Sequence, residues 1–310
     1  MRWSAICAGK KSGTANRSSL LRRFFISSEK GEKNGLGNVR EQYQQFKEVK
    51  QSQPWFKVYD IGHDILAIYE PYHFQEVISY LIKDEEKALL WDTGLGVGDM
   101  KKCVEELWDK EYIVVNSHHH FDHIGDNWQF DKVYVFDHPD MIKAVSEPLA
   151  DSYVLPQFTD DQFADNAPIR THTYEFRPIR YELFTEGKVF DLGRRRFRVI
   201  HTPGHAKDAI MLVNEEEKLL FTGDTYYPAP LYCFEDTFDE YVATMKYLSE
   251  EFSDYQLVTS HNEPYRPGSI FPSIYQGFLK IQNKEICPVK EFGEREMYEF
   301  ETFSLIKKKG

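Results

Sequence analysis

The sequence predicts an α/β (α+β) protein in which helices flank two packed β-sheets, a four-layer arrangement. Two observations support this prediction. First, two stretches of the chain contain the same elements in the same order: short strands, an amphipathic helix and a further strand. Second, histidines and aspartates follow several of the predicted strand ends. With 310 residues, of which 41% are hydrophobic, the chain is long enough to bury the core of such a fold.

Composition excludes two classes of partner. The chain has 38 Lys and Arg against 50 Asp and Glu, a formal net charge of -12, which disfavours a nucleic-acid or anionic-membrane surface. No apolar run approaches the roughly 18 to 20 residues that a membrane span requires. We therefore expect a small-molecule partner, no nucleic acid and no membrane span. The sequence leaves open whether the chain forms a homodimer.

The N-terminal region differs from the remainder of the chain. Residues 1–28 contain six basic residues and no acidic one, a basic tail that is typical of a transit peptide, with a disordered tail as the alternative. Residues 29–54 are predicted to be a linker with a short helix around residues 40–50. The four cysteines are scattered and lack CxxC spacing, so we expect reduced thiols. The predicted location is intracellular and cytoplasmic, or mitochondrial if the tail is a transit peptide.

The folded domain is predicted to span residues 55–310, and its first half resembles a meander followed by a crossover. Short runs rich in β-branched and aromatic residues predict antiparallel strands, followed by a helix with 3.6-residue periodicity and one more strand. The strands are predicted at residues 56–59, 65–69, 77–82, 88–91 and 112–116, and the helix at residues 100–108.

The second half repeats this order. Its strands are predicted at residues 188–190, 197–200, 209–213, 219–222 and 256–260, and its helix at residues 238–252. Between the halves, residues 145–185 carry acidic residues, aromatic residues and prolines, and are predicted to be an insertion of loops or short helices.

The segment His118-His119-His120-Phe121-Asp122-His123 follows the strand predicted to end at residue 116. In an extended segment His118 and His120 point to the same side and can share one ion, whereas Asp122 and His123 suit a second ion. Imidazole and carboxylate groups are ligands for zinc and also for iron or manganese.

This segment alone cannot complete two coordination spheres, so further ligands are expected at other strand ends. His205 in Thr-Pro-Gly-His, Asp224 in Thr-Gly-Asp and His261 in Ser-His-Asn each follow a predicted strand. Side chains at converging sheet edges are expected to meet at one metal centre.

Taken together, these motifs resemble those of the metallo-beta-lactamase superfamily over residues 55 to 262. The resemblance rests on Asp92-Thr93-Gly94, the His118 to His123 segment, His205, Asp224 and His261. It implies the αββα sandwich, with one Zn²⁺ held by His118, His120 and His205 and a second by Asp122, His123 and His261. By the same resemblance Asp224 bridges the two ions, and Asp92 orients the ligand loop without touching metal.

The resemblance implies a dinuclear metallo-hydrolase that attacks the carbonyl of a small ester, lactone or thioester. Asp122 and Asp224 are the expected catalytic carboxylates, and Tyr227, just beyond Asp224, is a candidate hydrogen-bond donor to substrate, with core packing as its alternative. Two other activities remain as alternatives: a persulfide dioxygenase-like oxidoreductase with a single iron, and a beta-lactam hydrolase. The substrate, the native metal and the fate of residues 1–28 are not determined by the sequence.

Overall fold

In the computed structural model, which describes residues 36–170, 172, 177–233 and 236–309, two β-sheets lie face to face. The first sheet has eight strands in chain order: β1 (Lys47–Val49), β2 (Lys57–Asp60), β3 (Ile65–Tyr69), β4 (Ile78–Lys83), β5 (Lys87–Trp91), β6 (Glu111–Val115), β7 (Val133–Phe136) and β8 (Tyr181–Phe184). Neighbours from β1 to β5 are antiparallel, and those from β5 to β8 are parallel. This arrangement confirms the predicted meander and crossover.

The later strands form the second sheet and a third, smaller one. They are β9 (Val189–Asp191), β10 (Arg196–His201), β11 (Ile210–Asn214), β12 (Leu219–Phe221), β13 (Leu231–Cys233), β14 (Gln256–Val258), β15 (Tyr265–Pro267), β16 (Lys290–Phe292), β17 (Arg295–Glu299) and β18 (Ser304–Lys308). The second sheet has the order β15-β14-β12-β11-β10-β9, and the third has the order β13-β18-β17-β16. The pairing of β12 with β14 is parallel, so the second half repeats the topology of the first.

The helices cover the outer faces of both sheets. They are α1 (Met100–Leu107), α2 (Phe121–Ile124), α3 (Pro139–Ser146), α4 (Asp151–Val154), α5 (Phe238–Glu251) and α6 (Phe271–Gln282). The Asp99 side chain accepts a hydrogen bond from the Lys102 amide and so caps the start of α1. Helices α1 and α3 pack on the first sheet, and α5 and α6 pack on the second. Helix, sheet, sheet and helix therefore form the four predicted layers.

The core between the sheets explains why their strands are apolar on both faces. Tyr80 and Trp91 of the first sheet pack in one cluster with Phe197 and Phe221 of the second, and all four are fully buried. Each such side chain contributes roughly 1.5–3 kcal/mol when it leaves water. Strands buried on both faces give near-continuous apolar runs, which is the pattern that the sequence shows.

The structure differs from the sequence prediction in residues 36–54. The predicted helix around residues 40–50 is a 3₁₀-helix (Glu41–Gln45) followed by β1, which pairs with β2. The described part of the predicted linker thus belongs to the first sheet, because burial of Tyr43 and strand pairing outweigh its polar composition. Residues 1–28, with the predicted tail, lie outside the described residues.

Three further predictions can be compared with the structure. The predicted insertion, residues 145–185, contains the end of α3, the whole of α4, two short 3₁₀-helices and β8. Cys103 and Cys233 are free and buried, as expected of reduced thiols. Among the described residues, no helix has the length and apolarity that a membrane span needs.

Candidate metal centre

The predicted site residues lie where strands end at one edge of the two sheets. Asp92 directly follows β5, and the His118 segment follows β6, its parallel neighbour. His205, Asp224 and His261 follow β10, β12 and β14, which run in one direction in the second sheet. The sheets are tied together at this edge, since the Ile210 amide donates to the Ser117 carbonyl over 3.0 Å. The predicted convergence of strand ends is therefore present in the structure.

The first group of side chains comprises His118, His120, His205 and Asp224. His120 Nδ1 lies 3.0 Å from His118 Nε2 and 2.9 Å from His205 Nε2. Asp224 Oδ2 lies 3.3 Å from His205 Nε2. The four ligand atoms lie within 4.8 Å of one another, so this group could hold a metal ion.

The second group comprises Asp122, His123 and His261. Both imidazoles place Nε2 at 3.9 Å from Asp122 Oδ2. Asp224 also reaches this group, because its Oδ1 lies 3.2 Å from His123 Nε2 and 3.0 Å from His261 Nε2. Asp224 thus lies between the two groups: Oδ1 faces the second group, and Oδ2 lies 3.3 Å from His205 Nε2 and 3.2 Å from His261 Nε2.

Asp92 lies beside the second group and holds the ligand loop. Its Oδ1 accepts a hydrogen bond from the Ser117 amide at 2.7 Å, and its Oδ2 lies 2.8 Å from both Ser117 Oγ and His123 Nδ1. Asp92 itself has a φ of 64°, a backbone conformation that aspartate adopts more readily than most residues. The carboxylate fixes the orientation of the His123 ring, and its role in orienting a metal ligand stays a prediction.

For His205 and His261, a hydrogen bond on the side of the ring away from the site decides which nitrogen faces the site. His205 Nδ1 donates to the Tyr232 carbonyl over 3.1 Å, and His261 Nδ1 donates to the Gln75 carbonyl over 2.6 Å. In a neutral ring Nε2 is then an acceptor, yet it faces the carboxylate of Asp224, which is also an acceptor. A cation between these atoms removes the conflict, and the residues therefore fit divalent metal ions.

Two buried atoms support the same conclusion. His123 Nε2 and Asp224 Oδ1 are inaccessible to water and lie 3.2 Å apart, but neither makes a hydrogen bond of good geometry. Buried polar atoms in native proteins are nearly always satisfied, by protein groups, water or an ion. The donor set is imidazole and carboxylate, which suits zinc, iron or manganese.

The charges of the site perturb the pKa values of its groups. Burial lowers the pKa of His118 far below its ordinary value, and the neighbouring rings of His123 and His120 add to this effect. Burial opposes protonation of His123 as well, but the carboxylates of Asp224 and Asp122 outweigh burial and raise its pKa. The carboxylates therefore attract positive charge into the second group, as a cation site requires.

Tyr227 is adjacent to the site, but its hydroxyl is already bonded. The side chain is buried, and the hydroxyl donates to the Pro230 carbonyl over 3.1 Å. Its ring centroid lies 5.0 Å from that of His261. Donation to a substrate would require exchange of the bond to Pro230, and the catalytic role of Tyr227 stays a prediction.

The sequence does not predict several contacts that support the ligands. Backbone carbonyls of Gln75 and Tyr232 orient two histidines, and no residue type marks a carbonyl for that role. Asp208, fully buried, accepts a hydrogen bond from His119 at 2.7 Å and links the His118 segment to the loop after His205. In the sequence, the position of Asp208 three residues after His205 was the feature that could have indicated its contact with the ligand loop.

The predicted insertion provides a wall beside the first group. The Tyr153 ring in α4 is 37% exposed, and its centroid lies 6.4 Å from that of His120 and 5.8 Å from that of Phe121. Phe158 packs on Phe121 instead of lining an open pocket. The insertion therefore reaches the site through Tyr153.

Comparisons with known proteins agree with this geometry. The model of the metallo-beta-lactamase superfamily matches residues 76–266. The chain is 27% identical over 218 residues to acyl-coenzyme A thioesterase MBLAC2 of Homo sapiens, covering 63% of this chain and 76% of that protein. It is 26% identical over 160 residues to hydroxyacylglutathione hydrolase GloC of Haemophilus influenzae, covering 50% of this chain and 68% of that protein. An archaeal metallo-beta-lactamase superfamily protein from Sulfolobus tokodaii has a similar fold, with a TM-score of 0.53 and 18% identity over 75% of this chain and 91% of that one.

Proposed function

The chain belongs to the metallo-beta-lactamase superfamily and is a hydrolase, and from this premise we propose that it cleaves acyl thioesters at a centre of two divalent ions. Zinc is the proposed metal, with iron or manganese as alternatives. One observation carries the dinuclear proposal. The Asp224 carboxylate lies between the two groups, within 3.3 Å of His205 Nε2 in the first and within 3.2 Å of His123 Nε2 in the second.

The names of the relatives support a thioester substrate. One relative is named as an acyl-coenzyme A thioesterase and another as a hydroxyacylglutathione hydrolase, and both names denote cleavage of a carbonyl–sulfur bond. A thiolate leaves with little help from an acid, since a thiol has a pKa near 8.5. Lactone and beta-lactam cleavage remain predictions from the sequence.

The protein residues divide the work of hydrolysis. Two bound divalent ions would lower the pKa of a water molecule and polarise the acyl carbonyl. Asp224 holds the two groups of ligands at a fixed separation, and Asp92 holds the His123 ring in place. Asp122 Oδ2 lies 3.9 Å from His123 Nε2 and from His261 Nε2, so the carboxylate would be a ligand of the second ion, and it stays the expected carboxylate for proton transfer.

A substrate panel tests the proposal. Zinc-loaded protein is mixed with acyl-CoA, acyl-glutathione, an acyl-homoserine lactone and a beta-lactam, and thiol or proton release is followed with a dye. We expect thiol release that stops when a chelator removes the metal. His118→Ala is expected to lower kcat/KM for the thioester by at least about 100-fold, because it removes a metal ligand.

His63→Ala is the control. His63 lies in the turn between β2 and β3, with its side chain 48% exposed and outside both groups of ligands, so its removal is expected to leave metal content and turnover unchanged. Thiol release that survives both the chelator and His118→Ala would exclude the metal-dependent mechanism. If only the lactone or only the beta-lactam releases protons, that compound would replace the thioester as the proposed substrate. If no substrate reacts, oxygen consumption on a persulfide by iron-loaded protein tests the oxygenase alternative.

A further inference from the structure

Residues 36–49, which we name the strap, cross the edge of the first sheet near the candidate metal centre. The strap is anchored at several points. The Gly37 amide donates to the Pro71 carbonyl over 2.6 Å, and the Gly37 carbonyl accepts from Asn166 Nδ2 at 2.9 Å. Tyr43 is buried and stacks on Tyr69 with 4.5 Å between ring centroids. The strap therefore bridges the loop after β3 and the insertion.

Arg40 in the strap forms a buried ion pair with Glu76. Arg40 Nε lies 2.6 Å from Glu76 Oε2, and Arg40 Nη2 lies 3.2 Å from Glu76 Oε1. The two side chains are 16% and 4% exposed. The Tyr69 hydroxyl donates to the same carboxylate over 2.5 Å. Loss of one partner from such a network leaves a buried charge without compensation.

The guanidinium of Arg40 reaches a second loop as well. Its Nη2 donates to Asn262 Oδ1 over 2.9 Å, while the Asn262 amide donates to the Glu76 carbonyl over 3.0 Å. Glu76 and Asn262 have φ values of 46° and 65°, so both are held in the left-handed region by their surroundings. Arg40 thus joins two turns that each occupy a sparsely populated backbone conformation.

These two turns contain both partners of the bond that orients His261. Gln75, whose carbonyl accepts from His261 Nδ1, precedes Glu76, and His261 precedes Asn262. Residues 77 and 261 form an isolated antiparallel bridge between the same turns. Any change in the spacing of the two turns therefore changes the direction in which His261 Nε2 points.

We propose that Arg40 is a positioning residue for His261, so that the strap is part of the metal centre. The inference rests on the proposed function only in taking His261 as a ligand of the second ion. The positioning role of Arg40 also limits where the N-terminal region can be cut without loss of the site. A cut after residue 28, the end of the predicted tail, leaves the strap intact, whereas a cut beyond Arg40 removes the contact that fixes His261.

The first test uses metal-free protein. At a pH at which the His261 ring is neutral, nitrogen-15 NMR of histidine rings reports whether it carries its proton on Nδ1, as the bond to Gln75 requires. We expect this tautomer in the wild type and its loss, or exchange between tautomers, in Arg40→Met. Arg195→Met is the control, because Arg195 pairs with Glu217 at 2.7 Å away from both groups of ligands, although the Glu217 side chain is 28% exposed.

The second test is a zinc titration of the same variants by calorimetry. Arg40→Met is expected to weaken binding of the second equivalent by about 10- to 100-fold and to leave the first equivalent unchanged. Arg40→Lys is expected to be intermediate, because one ammonium group cannot reproduce the fork of contacts to Glu76 and Asn262. Arg195→Met is expected to bind both equivalents of zinc as the wild type does, although it loses thermal stability to a similar extent as Arg40→Met.

The outcomes separate this inference from the proposed function. If Arg40→Met retains the His261 tautomer and second-site affinity of Arg195→Met, the positioning role is excluded. If the wild type binds only one equivalent of zinc, the dinuclear proposal fails, and the tautomer measurement still decides whether Arg40 positions His261.

Discussion

Glu70 is a buried carboxyl group beneath the loop that follows Asp92. Its two oxygens accept hydrogen bonds from Trp55 Nε1 at 2.5 Å and from the Leu95 amide at 3.0 Å. Burial raises its pKa from 4.5 to about 7, although these two hydrogen bonds act in the opposite direction. In the metal-free protein Glu70 therefore binds a proton over a pH range in which the unfolded chain has released it.

The elevated pKa of Glu70 predicts a pH-dependent contribution to stability. Its contribution is fully present below pH 4.5 and is lost as the pH rises to about 7, because the folded protein binds the extra proton. At low pH, Glu70→Gln is expected to be less stable than the wild type, since the amide cannot accept both hydrogen bonds. The difference in free energy of unfolding between the two proteins should shrink by up to about 3 kcal/mol as the pH rises across this range. Urea unfolding of metal-free protein at several pH values measures the difference. A deficit independent of pH would contradict the prediction.

At the scale of elements, helix α2 packs directly on the loop after Asp92. The Gly125 amide donates to the Gly94 carbonyl, and the Thr93 amide donates to the His123 carbonyl, both over 2.9 Å. A Cβ atom on Gly125 would lie 2.3 Å from the carbonyl carbon of Leu95 and 2.5 Å from the Gly96 nitrogen. Only glycine allows this approach of two backbones, which places Asp122 and His123 at the site.

Gly125→Ala is therefore expected to displace α2. Backbone atoms cannot yield as a side chain can, so we expect a loss of about 1–3 kcal/mol of stability and weaker zinc binding at the second group. Thermal unfolding and zinc titration measure the two effects. Gly187→Ala is the control: Gly187 has a φ of 80° but no atom within 4 Å of the added Cβ, so it is expected to affect stability alone. Unchanged zinc affinity in Gly125→Ala would disprove this account of α2.

At the scale of the whole molecule, the two sheets meet at an edge that concentrates charge. Asp92, Asp122 and Asp224 are all buried there together with the histidines. Carboxylates withdrawn from water destabilise a fold unless positive charge compensates them. The metal ions proposed for this edge would therefore stabilise the contact between the sheets as well as catalyse the reaction.

Removal of metal is expected to lower the melting temperature. Zinc at 100 times its Kd adds about 2.7 kcal/mol per site, which corresponds to a shift of about 5 °C or more for a protein of this size. Differential scanning calorimetry with and without chelator measures the shift. His118→Ala should show a smaller one, and equal melting temperatures for the loaded and the stripped wild type would contradict the prediction.

The sequence by itself determined the order of the elements and the chemistry of the centre. Strand and helix periodicity depends on residues close in the chain, so ten of the strands and helices α1 and α5 were predicted to within a few residues, whereas the third sheet and helices α3 and α6 were not predicted. Histidine and aspartate at strand ends are recognised by residue type, and the structure brings the predicted residues together in two groups.

The tertiary structure alone decided how those residues are held. Arg40 contacts Asn262 across 222 positions of the chain, and β13, whose Tyr232 orients His205, pairs with β18 near the C-terminus. The polar segment around Arg40 suggested a linker because its local composition lacks apolar periodicity. Its order comes from distant partners, and contacts between distant residues leave no pattern in local sequence.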